Sequence, residues 1–267
     1  MDTTDTNQID QTPQIEELSH SDKMIGVFSE PAKTFQITSL FPTRTKDWVI
    51  PLLILFALIG IIRSISMMNE EVMYEAKKQQ YKIIDEMVEK GTMTREQGDQ
   101  ALERIDQQMA FMKGPIGWVI NIVSTMIFGF IFFFIIAGIY FLFIKLLLKG
   151  EGTYQHVLVA NGLTAYITMV QMLVGGILTF VLGKMIMDTS IVNFLDVDKK
   201  TILGFVLAKI DPISIWAYAV LGIAFAKLFK SKDTTKYIIM VFVLWILGGL
   251  IFFFLGKAFP FLAGFGG

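Results

Sequence analysis

Five long apolar runs divide the chain, and each is close to the length needed to cross a bilayer. A helix rising 1.5 Å per residue needs about 20 apolar residues to span roughly 30 Å of hydrocarbon. The runs fall at residues 48–68, 119–144, 157–182, 212–229 and 237–255. The second, third and fifth contain no charged residue. The first carries Arg63, whose stem is expected to snorkel to an interface, and the fourth is the shortest, with Lys227 near its end. None shows the period-two alternation of a barrel strand, and backbone groups in lipid must be satisfied within the segment. The expected fold is therefore an all-α membrane protein, a bundle of about five transmembrane helices. An odd number of passes puts the termini on opposite faces. Composition fits: 54% of residues are hydrophobic and 18% charged, against about 45–50% and 25% in soluble domains.

The stretches between the runs have their own character. Residues 1–27 are rich in Asp, Glu, Thr and Gln and are expected to be a disordered acidic tail. Residues 28–47 form an interfacial amphipathic segment, with a short surface helix over 31–41 whose lipid contacts are Phe35, Leu40 and Phe41. Residues 69–113 predict an extramembrane helical hairpin between the first and second spans. Ile83 with Met87 and Ile84 with Val88 are i,i+4 pairs in its first arm. Gly91 ends that arm, and Thr94 to Gln97 fits a capping box opening the second, whose apolar stripe is Leu102, Ile105 and Met109. Residues 199–210 predict an interfacial helix capped by Asp198, and 256–267 a short apolar C-terminal tail. Basic residues divide almost evenly between the two faces. The short lysine-dense loop at 230–236 favours an inside N-terminus.

Little in the sequence points to catalysis. The net charge of −1 supplies no basic field for a nucleic-acid partner. With no cysteine, disulfides and thiolate chemistry are excluded. Of the two histidines, His20 falls in the acidic tail and His156 at the start of the third run. Metalloprotease, serine-hydrolase and phosphate-loop motifs are absent. No catalytic, metal or cofactor site is expected. Asp196-Val197-Asp198 lacks the Gly and Glu of a calcium loop and reads as structural. The most informative polar feature is one face of the third run: Asn161, Thr164, Thr168 and Gln171. It reads as a packed seam between helices or as the lining of a solute or ion path. The seam is the stronger reading, because intramembrane function usually involves an ionisable residue and this face has none. Asp211-Pro212 reads as the N-cap and first position of the fourth helix.

Several strings occur in a telling order. Phe28, Pro31 and Phe35 lie in the segment before the first run, and Trp48 and Pro51 open that run. Gly152-Thr153-Tyr154-Gln155-His156 leads into the third, and Asp211-Pro212 precedes Trp216 in the fourth. From Phe28 to Leu255 the chain resembles the bacterial branch of the Yip family, the Ypt/Rab-interacting membrane proteins. The resemblance implies five spans, a cytoplasmic N-terminus and a place in a bacterial cytoplasmic membrane. The lack of catalytic chemistry, together with the amphipathic modules at 31–41 and 69–113, points to a non-enzymatic role in assembling membrane proteins or organising the bilayer, with self-association open. Eukaryotic members act with small GTPases. Their aspartate-leucine-tyrosine-glycine-proline string is missing here, so the resemblance does not carry GTPase binding to this chain.

Overall fold

In the computed structural model, residues 15–195 and 197–258 are described. They form ten α-helices and one 3-10 turn, with no strand among the described residues. The helices are α1 (His20–Ser29), α2 (Pro31–Thr38), α3 (Lys46–Ser66), α4 (Glu70–Glu89), α5 (Arg95–Met112), α6 (Pro115–Leu146), α7 (Tyr154–Leu182), α8 (Ile202–Ala208), α9 (Pro212–Leu228) and α10 (Thr234–Ala258). Four of these, α3, α6, α7 and α10, are long and apolar enough to cross a membrane. The fifth candidate is a bent pair, α8 and α9, turning by 63°. At 17 residues, α9 alone spans roughly 26 Å, slightly under the hydrocarbon thickness.

The centre of the bundle is α7, whose first half is buried on nearly all sides. On one flank α3 packs so closely that a Cβ at Gly162 would sit 2.3 Å from the Trp48 Cα. Only glycine permits this approach. On another flank α9 runs antiparallel to α7: Asp211 and Ser214 meet Gln171, and the Phe229 ring lies over Gly152. Thus α9 runs most of the length of α7. Across the α3–α6 contact, Phe56 meets Phe130 edge-on at 5.3 Å, and Asn121 donates to Gly60 O at 3.1 Å and to Ser64 Oγ at 2.9 Å. On α9, Tyr218 meets Trp245 of α10 at 4.6 Å. Only 17% of the apolar window of α6 and 11% of that of α10 is buried. Helices apolar all round and so little covered face lipid.

Three expectations need correction. Residues 20–27, expected to be disordered, belong to α1; residues 1–14 of the expected tail lie outside the described residues. The surface helix ends at Thr38 and is packed on the bundle. Phe35, expected as a lipid contact, is fully buried, while Leu40 beyond the helix is exposed. The interfacial helix over 199–210 begins only at Ile202. Its cap is Thr201, which accepts from Gly204 N at 3.0 Å; Asp198 instead closes a turn onto Lys200 N at 2.8 Å. Asp196 and residues 259–267 of the C-terminal tail lie outside the described residues.

Between α3 and α6, α4 and α5 form an antiparallel hairpin. Asn69 caps α4, accepting from Glu71 N and Val72 N, and Thr94 with Gln97 forms a capping box on α5.

Candidate functional site

Two polar knots interrupt the apolar bundle. The first starts at Ser19, whose hydroxyl accepts from Asp22 N at 3.1 Å while the Asp22 carboxylate accepts from Ser19 N at 3.2 Å. This capping box starts α1 and places His20 and Lys23, three residues apart, on one helix face. That face is held against the start of α3. Lys23 Nζ donates to Asp47 Oδ2 at 2.5 Å, and His20 Nδ1 lies 2.8 Å from Asp47 Oδ1. The other ring nitrogen, Nε2, lies 2.8 Å from the Tyr166 hydroxyl on α7. A carboxylate at Nδ1 requires a proton there, so in the neutral ring Nε2 accepts from Tyr166. Glu17 extends the chain of alternating charge: it pairs with Arg44 and lies 3.9 Å from Lys23. Lys23 is 1% exposed and Asp47 0%. Both carboxylate oxygens are taken, so this arrangement fastens α1 to α3 and α7. Pro51 lies inside α3 and is buried; having no N–H, it leaves the backbone carbonyl of Asp47 without its usual helical donor.

The second knot lies at the start of α9. Asp211 is 1% exposed. Its Oδ1 accepts from Ile213 N at 3.0 Å, Ser214 N at 3.1 Å and Thr189 Oγ1 at 2.5 Å. Its Oδ2 accepts from Thr189 N at 2.9 Å and Gln171 Nε2 at 2.6 Å. Gln171 also donates to Ser214 Oγ at 2.7 Å. One carboxylate thereby joins α7, the 183–201 connection and α9. Asp188 organises the same connection, accepting from Ser190 N at 2.9 Å and Asn193 Nδ2 at 2.7 Å.

The third-run residues do not form one site. Asn161 turns back onto its own helix, donating to Val157 O at 2.9 Å. Thr164 is buried with no hydrogen-bond partner for its hydroxyl. Thr168 is half-buried, and Gln171 alone enters a polar cluster. Among the other sequence-derived positions, Phe28 and Trp216 come together, with rings 5.8 Å apart. Pro31 opens α2 and Pro212 opens α9, both where a missing N–H costs nothing. Trp48 stacks on Phe133 at 5.9 Å. His20, Lys23, Asp47 and Tyr166 were not legible as a group. The one local signal was the Ser19-to-Asp22 capping box, which would have ended the tail at residue 19.

Ten helices among the described residues, with four or five apolar enough to cross a bilayer, define a polytopic α-helical membrane protein. The chain belongs to the Yip family: the Yip1 domain model matches residues 25–256. The match starts after His20 and Lys23, so those two members of the first knot lie outside it. No curated protein and no solved structure matches the chain.

Proposed function

We propose that this Yip-family protein is a non-enzymatic organiser of other membrane proteins, with the α4–α5 hairpin as its docking arm. In this reading it lies in a bacterial cytoplasmic membrane with its N-terminus inside. The observation that carries the reading is the hairpin itself. It is locked internally, with Asp106 accepting from Tyr81 at 2.5 Å and pairing with Lys77 at 2.6 Å. It is also tied to the bundle, where Lys200 pairs with Glu86 at 3.1 Å. In this reading the arm stands over one membrane face. Its first helix lines a groove of about 470 Å³ with Tyr74, Lys77, Lys78, Tyr81, Lys82 and Asp85. Lys77 is paired with Asp106 and Lys78 with Glu75, so the exposed Lys82 is the lysine of this groove that we assign to an acidic side chain of a partner segment.

Cross-linking through lysine in intact membranes tests this. Lys78 and Lys82 are expected to link to a second membrane protein, and Lys82→Glu with Lys78→Glu should suppress those links. Cross-links confined to this chain would contradict the reading. A transport role has less support, because Gln171, the most polar member of the α7 face, is buried and engaged by Asp211 and Ser214.

A further inference from the structure

The side of α10 that meets α8 carries Trp245, Gly249, Phe253 and Lys257, spaced by four and therefore on one line. Lys209, immediately after α8, reaches into this line. Its Nζ stands 5.3 Å from the Trp245 ring centroid and 5.2 Å from that of Phe205. The Phe205 ring in turn meets Phe253 at 5.2 Å, and Lys257 Nζ stands 4.5 Å over Phe253. Two ammonium groups thus lie along one aromatic seam. Gly249 leaves room for the end of this lysine, since a Cβ there would fall 2.8 Å from Lys209 Nζ.

Neighbouring lysines have carboxylates. Lys200 pairs with Glu86 and Lys199 lies 3.9 Å from Asp188. Among the described residues, neither Lys209 nor Lys257 has an ion pair or a hydrogen-bond acceptor. Asp188 reaches Lys209 only as a longer-range charge, and its carboxylate is engaged by Ser190 and Asn193. An ammonium carries three donors and binds well to aromatic faces, but those faces satisfy none of the donors fully. Around the seam the surface is apolar and exposed: Ile202, Leu203 and Val206 on α8, with Phe254 on α10, whose ring lies 5.5 Å from that of Phe253. An anionic group that sits beside greasy helices would supply acceptors to both lysines.

We infer that the α8–α10 seam binds the phosphate of an anionic phospholipid, with Lys209 and Lys257 holding the headgroup and the exposed faces of α8 and α10 meeting its acyl chains. Acceptor oxygens of a phosphodiester complete the donors of both lysines, and charge-assisted bonds of this kind are the strong ones. This assignment is independent of what docks on the hairpin.

Native mass spectrometry of the full chain, released from micelles doped with phosphatidylglycerol or phosphatidylcholine, tests it. Wild-type protein should retain phosphatidylglycerol about tenfold more strongly, as charge-assisted hydrogen bonds provide. Lys209→Gln and Lys257→Gln should each reduce that preference, and Lys209→Arg, which keeps the charge, should retain it. The Arg variant and an unchanged elution volume on size exclusion separate loss of binding from loss of folding. Equal retention of the two lipids by wild type, or full preference in both Gln variants, would overturn the site. Millimolar inorganic phosphate, with ionic strength matched by chloride, should leave the lipid bound. Displacement would assign the seam to soluble phosphate and overturn the lipid.

Discussion

Asp47 joins two helices outside its own at one carboxylate: Lys23 and His20 from α1 and, through His20, the hydroxyl of Tyr166 on α7. Removing one member of a buried ion pair leaves the other charge uncompensated, at a cost of about 3–5 kcal/mol. Asp47→Asn should therefore destabilise the protein by that order, read as a lower unfolding temperature in detergent. Lys23→Met added to Asp47→Asn should restore part of the loss, because it removes the stranded charge. A double variant less stable than Asp47→Asn alone would contradict the ion-pair account. This knot was illegible in the sequence for a physical reason. His20 is 27 residues from Asp47 and 146 from Tyr166, and no local spacing encodes either contact. Asp211 differs: its capping role follows from Asp-Pro alone, and only the bonds from Gln171 and Thr189 needed the fold.

At the scale of elements, legibility follows locality. The caps at Thr94 and Asp211 and the apolar runs are written in neighbouring residues, so both the hairpin and the long helices can be read directly. The α2 helix shows the limit. Its Phe35 suits a membrane surface as well as a core, and only packing against the bundle buries it. In the hairpin, Asp106 is held below the usual carboxylate range of 3.8, chiefly by the hydrogen bond from Lys77 and then that from Tyr81. Lys77 is held above its usual 10.5, chiefly by Asp106 and then Tyr81. The carboxylate's contribution is complete above 3.8 and fades as pH falls through its lowered value. The ammonium's is complete below 10.5 and fades as pH rises through its raised value. The hairpin should thus be insensitive to pH across the neutral range. Asp106→Asn should speed amide hydrogen exchange in α4 and α5 at neutral pH while leaving α7 unchanged. Exchange in α4 and α5 equal to wild type would show that the cross-arm bonds are dispensable.

For the whole molecule, the decisive element is the weakest span. The other four crossing helices are long apolar segments, whereas α9 has 17 residues and meets α8 at a 63° bend. It runs antiparallel to α7 from Gln171 towards Gly152, and the proposed five-span topology takes it as a crossing. With five crossings, the hairpin and the 183–201 connection would share one face, and the N-terminal helices and the α9–α10 loop the other. The chain has no cysteine, so single cysteines report position without background. The most direct measurement is labelling of Lys33→Cys, Lys82→Cys, Lys199→Cys and Lys232→Cys in intact cells with a membrane-impermeant maleimide. The account predicts that Lys82→Cys and Lys199→Cys label from outside, while Lys33→Cys and Lys232→Cys label only after permeabilisation. Labelling of Lys82→Cys and Lys232→Cys from the same side would contradict it.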